Sequence, residues 1–154
     1  LNKDKDLENF LNYSNSNKIL SPYLKKDRNK LIKIYEIYKE SLSYLKELEK
    51  ISEIYFTDNW VSDNNNFLLE NNFENHLKEF KVEIDKIDNW NSIEIDFCLK
   101  NFIETKKIKF FIFGKPLRIL LTNLKNGPSI KDIMLILGKK STIIRLNNYI
   151  NRQK

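Results

Sequence analysis

The chain reads as an all-α protein, and three observations carry that reading. Apolar residues recur every three or four positions through most of its 154 residues, the step of a helix with one buried face. All three glycines, Gly114, Gly127 and Gly138, fall in the last third, so turn-formers are scarce before it. The one β-branched and aromatic run, Lys107 to Phe113 (KIKFFIF), has no second strand to pair with.

Taken in order, Leu7 to Asn12 is a short apolar segment before the polar run Ser14-Asn15-Ser16-Asn17. Ser21-Pro22 suits a helix start, with serine as cap and proline at the first helical position. From about Asp27 to Phe56, the set Leu31, Ile34, Tyr38, Leu42, Leu45, Leu48, Ile51 and Tyr55 predicts a long amphipathic helix with a possible break near Ser41 or Ser43. Thr57 to Asn66 is polar and reads as a linker, although Trp60 within it needs an anchor. Leu69, Phe73, Leu77, Phe80, Ile84 and Ile87 predict a helix over about 66–87. Asn91 or Ser92 caps the next, with Glu94 and Asp96 in its first turn and Ile93, Phe97, Leu99 or Lys100, Phe102 and Ile103 facing inward. Lys107 to Phe113 is expected as an extended, buried connector. Pro116 opens a short helix ending near Leu124, and Gly127-Pro128 is a turn. Ser129 caps the following helix with Asp132 three residues on, and Gly138 ends it. Ser141 or Thr142 caps the last helix, whose Ile143, Leu146, Tyr149 and Ile150 face inward.

The length fits one ordinary domain or two small subdomains, divided here as 1–60 and 66–154. A hydrophobic fraction of 41% supplies a core, and no stretch approaches the roughly 20 apolar residues of a membrane span, so no membrane partner is expected. The start, Leu1 followed by Asn-Lys-Asp-Lys-Asp, is no signal peptide and reads as a piece of a longer protein. A single cysteine, Cys98, rules out an internal disulfide and fits a reducing, cytoplasmic compartment. Net charge is +6, but residues 106–154 hold twelve Lys/Arg against one acid, Asp132, a net +11, which leaves −5 on residues 1–105. Such an end suits a polyanion, because each phosphate contact releases condensed counterions. A lysine-rich solvated surface is the plainer alternative.

No catalytic centre is visible. The sole histidine, His76, stands mid-helix, and one His with one Cys makes no metal cluster. Gly138-Lys139-Lys140-Ser141 has only the tail of a phosphate-cradling loop. The acid pairs Glu36/Glu40 and Glu79/Glu83 have the spacing of a solvated helix face. Ser129 to Ile150 has the outline of a helix-turn-helix, yet its second helix offers few base readers beyond Asn147 and Asn148. Arg118, among Leu117, Ile119, Leu120 and Leu121, is either a structural arginine tying helices together or a planar fork aimed at a base edge or phosphate.

The ordered set Pro116-Leu117-Arg118, Leu121-Thr122, Pro128, Leu137-Gly138-Lys139 and Arg145-Leu146 resembles the C-terminal, anticodon-binding end of bacterial-type glutamyl-tRNA synthetases. Upstream, Trp90 with Ser92-Ile93-Glu94 is similar to that family's Trp-Thr-x-Glu. Ser41-Leu42, Leu45 and Ile54-Tyr55-Phe56 look like its Thr-Leu-x-Glu-Leu helix ending in aromatics. The resemblance covers about residues 20–150 and is densest in the last third.

It implies an all-α, multihelical module of two small helical subdomains whose partner is the anticodon stem-loop of tRNA-Glu, with unpaired bases read on their edges. Carried over by position, Arg118 is an anticodon reader, and Gly127, Pro128 and Ile130 offer backbone groups and an apolar surface beside a base. Lys100 is a further basic contact, and Lys125, Lys139, Lys140 and Arg145 meet phosphates, Arg145 being alternatively a helix-pairing residue. Thr122-Asn123 replaces the family's Thr-Gly, and Tyr38 and Glu40 stand where it has Arg and Lys. The His-x-Gly-His and Lys-Met-Ser-Lys types of nucleotide-binding motif are absent from these residues. ATP and Mg²⁺ are thus implied only for a parent glutamate–tRNA ligase of class I, with its catalytic domain as a second partner, and no cofactor for this segment. The alternative is a standalone helical adaptor that binds nucleic acid or protein without enzymatic role.

Overall fold

A computed structural model of the chain describes residues 3–62 and 72–152. Every regular element among them is helical. Their contacts divide the chain into two units, Leu1–Thr57 and Asp58–Lys154. None of these helices is long and apolar enough to cross a membrane.

In the first unit, α1 (Lys3–Ser16) is followed by α2 (Leu20–Lys26), α3 (Arg28–Tyr38) and α4 (Leu48–Phe56). The start of α2 is held by Asn17 rather than Ser21: its Oδ1 accepts from the N–H groups of Ile19 and Leu20, each at 2.9 Å. Asn17 Nδ2 also donates to Glu49 Oε1 at 2.8 Å, tying the α1–α2 corner to α4. Asp27 caps α3 by accepting from the Lys30 N–H at 3.0 Å. The long helix expected over 27–56 breaks at the serines. Short 3-10 turns, Lys39–Ser41 and Leu45–Glu47, flank extended Tyr44, and Glu47 Oε2 accepts from the N–H groups of Ser43 and Tyr44. The break lets α3 and α4 fold back on one core, where Phe10 stacks on Tyr35 with centroids 4.4 Å apart and the Tyr38 and Tyr55 hydroxyls meet at 2.6 Å.

The second unit holds α5 (Phe73–Asp85), α6 (Ser92–Lys106), α7 (Phe110–Thr122) and α8 (Ile130–Arg152). Part of the helix expected over 66–87, including Leu69, lies outside the described residues. Phe73, Leu77, Phe80 and Ile84 fill the core from α5. Asn91 caps α6 through the Glu94 N–H at 2.9 Å. The inward face of α6 is Ile95, Leu99 and Phe102; Ile93 and Phe97, expected inside, are 80% and 68% exposed. The periodicity offered two stripes two residues apart, on nearly opposite faces, and packing against α5 chose the one carrying Phe102.

Lys107 to Phe113 is not an extended connector: Lys107 is left-handed and ends α6, Lys109 is extended, and α7 starts at Phe110 with Pro116 inside it rather than at its first turn. A proline within a helix costs roughly 3 kcal/mol. Against that stands Phe113, fully buried, with ring centroids 5.1 Å from Phe80 and Phe102 and 5.7 Å from Phe73. Burying such a ring contributes about 1.5–3 kcal/mol and each aromatic pair about 0.5–1.5 kcal/mol more, so the helix wins. Gly138 interrupts α8 at φ 81° and ψ 164°, and helix resumes at once, without the cap expected from Ser141 or Thr142. Thr142 Oγ1 instead donates back to the Gly138 carbonyl at 2.7 Å.

Of the polar stretch after Thr57 expected as a linker, residues 58–62 are described, and they belong to the second unit as a strap. Trp60 Nε1 donates to the Leu120 carbonyl at 2.9 Å, Ser62 Oγ to Asn123 Oδ1 at 2.9 Å, and Arg152 Nη1 to the Ser62 carbonyl at 2.8 Å.

Candidate nucleic-acid interface

The basic residues of α7 and α8 fall into two groups once their partners are known. Arg145 is only 3% exposed. Its Nη1 donates to the Leu121 carbonyl at 2.7 Å and its guanidinium lies 4.6 Å from the centre of the Trp60 ring. It caps the C-terminal end of α7, where orphan carbonyls and the helix dipole favour a cation, and so serves helix pairing rather than phosphate. Lys139 Nζ donates to the carbonyls of Asp85 and Ile87, each at 2.7 Å, closing the end of α5. The phosphate role expected for Lys139 yields to that capping role, because the break at Gly138 carries its amine onto two carbonyls.

Lys100 is paired one turn back with Asp96 at 2.8 Å on an exposed face, so its charge is largely offset there. Ile130 is 1% exposed and belongs to the core, not to a surface beside a base. As the first residue of α8 it is drawn inward, while Ser129 accepts from the Asp132 N–H at 3.4 Å and holds the helix start.

The remaining candidates are Arg118, Lys125, Lys140, Gly127 and Pro128. Arg118 is half-buried on α7, and its Nε is buried with no hydrogen-bond partner. An unsatisfied buried donor of this kind costs about 1–3 kcal/mol, and no hydrogen bond within the fold offsets it at Nε. Lys125 and Lys140 are exposed, and Gly127, exposed at φ 145°, leads into half-buried Pro128. Arg118, Lys125, Gly127 and Pro128 thus share the end of α7 and the turn that follows it. That turn is set by Thr122, which donates to the Arg118 carbonyl at 2.8 Å and accepts from the Leu124 N–H at 3.1 Å. Asn123 takes the left-handed conformation at φ 61°, so the turn is glycine-like although the residue is asparagine.

The sequence reading passed over Phe110 and Phe111, which are 49% and 61% exposed at the start of α7. Treating KIKFFIF as a buried connector hid them; continuing the helical step backward from Leu117 through Phe113 places Phe111 outside, while Phe110 falls on the inward stripe and is nonetheless half exposed. A separate groove of about 660 Å³ between α5 and α6 has apolar Phe97 and Phe102 in its lining, where Glu79, Glu83, Asp88 and Glu94 outnumber Lys86 and Lys106, so its charge does not favour a phosphate chain. Among the described residues no group of three or more His, Cys, Asp or Glu is placed to hold a metal ion.

The model of a family described as "Anticodon binding domain" matches residues 10–150. The chain belongs to that family. It is 27% identical over 150 residues to a glutamate–tRNA ligase of Mycoplasma capricolum, covering 96% of this chain and 31% of the relative. A glutamate–tRNA ligase of Finegoldia magna is 31% identical over 147 residues, with 87% and 29% covered. A crystal structure of a glutamate tRNA ligase from Elizabethkingia meningosepticum shares the fold, with a TM-score of 0.74 at 21% identity, over 97% of this chain and 28% of that one. The chain therefore spans about a third or less of the length of these relatives.

Proposed function

We propose that this anticodon-binding domain holds the anticodon loop of a glutamate tRNA on behalf of a glutamate–tRNA ligase. The catalytic domain of that ligase attaches glutamate with ATP and Mg²⁺ in the cytoplasm. The observation that carries this reading is the contrast between basic residues. Arg145 and Lys139 are consumed by helix ends, whereas half-buried Arg118 keeps an unpartnered Nε beside a turn with exposed Lys125 and Gly127. A guanidinium can read a base edge with two donors at once, and unpaired loop bases present such edges. Lys125 and Lys140 supply phosphate contacts, and the +11 charge of residues 106–154 brings the RNA in.

The test is binding of this chain to the tRNA-Glu anticodon stem-loop beside the same stem with a scrambled loop, at near-physiological salt. The native loop is expected to bind more tightly, and Arg118→Ala to cost about 1–3 kcal/mol while erasing most of that preference. Lys125→Ala and Lys140→Ala should weaken both hairpins about equally. Equal binding of the two hairpins by the unmodified chain would refute loop reading.

A further inference from the structure

Helical geometry places Phe111, Lys115 and Arg118 on one face of α7, because steps of four and three residues keep them within about 60° around the axis. Phe111 is 61% exposed, Lys115 is exposed, and Arg118 closes the row with its unpartnered Nε. The core does not need the Phe111 ring. Phe113 meets the aromatic cluster, and Phe110 is laid against Gly114, where a β-carbon would come within 2.5 to 2.8 Å of its ring. An exposed phenyl group in a segment so rich in cations has the makings of a base-stacking platform, since every base offers a π-face and every phosphate a negative charge. Acids are absent from Lys106 to Lys131, so nothing in that stretch repels an RNA backbone.

We propose that Phe111 stacks on one unpaired base of the bound loop, with Lys115 beside the backbone and Arg118 addressing a different base. The proposal rests on the reading of an anticodon loop as ligand. Seven residues of helix separate Phe111 and Arg118 by about 10 Å along the axis, roughly three stacking steps of 3.4 Å, so one base cannot satisfy both.

The experiment measures binding of the full chain to the tRNA-Glu anticodon stem-loop for Phe111→Ala, Phe111→Leu and Phe111→Trp, each checked for an unchanged unfolding midpoint. It is repeated with an abasic nucleotide at each loop position in turn. Phe111→Ala is expected to weaken binding about 5- to 150-fold, Phe111→Trp to restore it and Phe111→Leu not to. One abasic position should abolish the effect of Phe111→Ala, and a different one that of Arg118→Ala. If the unmodified chain prefers the native loop but Phe111→Ala binds within twofold, or leucine serves as well as phenylalanine, stacking is overturned and loop reading stands. If native and scrambled loops bind alike yet Phe111→Ala still weakens both, stacking stands as a sequence-blind contact and loop reading falls. If they bind alike and Phe111→Ala changes neither, both fall.

Discussion

Replacing Arg145 by alanine separates a structural cation from an RNA-binding one. The wild-type side chain is nearly fully buried, donates from Nη1 to the Leu121 carbonyl at 2.7 Å and lies 4.6 Å from the Trp60 ring centre. A hydrogen bond to a charged group contributes about 1.5–3 kcal/mol and a desolvated cation–π contact about 0.5–2 kcal/mol. Because both depend on one guanidinium they are not independent, and we expect a loss of about 2–5 kcal/mol. Urea unfolding followed by tryptophan fluorescence is the suitable assay, since Trp60 and Trp90 both lie in the second unit. The fluorescence transition should move to lower urea with an unchanged slope, while helix signal from the first unit persists. Arg145→Lys should recover only part of the loss, because a lysine cannot reproduce the planar fork over the indole. An unchanged midpoint together with weaker RNA binding would refute the capping role and return Arg145 to the phosphate contacts.

Lys139→Ala removes the ties to the Asp85 and Ile87 carbonyls. It should lower the stability of the second unit by about 1–3 kcal/mol while leaving native-loop preference intact, checked by the same unfolding curves and a hairpin titration. Gly138→Ala meets no atom within 4 Å but must adopt φ 81°, so we expect a purely conformational penalty of about 1–3 kcal/mol in urea unfolding. Burial pushes the Cys98 thiol up to about 11, with Glu83 adding to the shift. The proton is thus held below that pH, the thiolate appears only as pH rises toward it, and iodoacetamide should react with the folded chain far more slowly at pH 8 than with the urea-unfolded chain.

Local chemistry was legible where a side chain meets backbone a few residues away. Asn91 announces its cap, the serines near 41 announce the break between α3 and α4, and Gly138 announces the interruption of α8. What escaped sequence reading depends on partners distant in the chain. The register of α6 was settled by Phe80 and Phe102, and the start of α7 by Phe113 reaching rings on α5 and α6. The site shows the same division. Lys139 looks like any turn lysine until the end of α5, more than fifty residues earlier in the chain, is brought beneath it. Arg118 and Arg145 have similar apolar neighbours, and only burial and hydrogen bonding tell the proposed reader from the cap.

Asn123 shows how composition can drift while a backbone stays put. It occupies the left-handed well at φ 61°, which asparagine tolerates far better than branched or bulky residues do, and its Oδ1 accepts from Ser62 at 2.9 Å. A glycine would fit the same corner but could not hold the strap. In a chain this rich in asparagine, such a residue at a helix end combines a left-handed backbone with a side-chain latch. The cost of such a residue is low wherever a hydroxyl lies within reach, so turns of this kind are places where two sequences can part company and still trace one path in space.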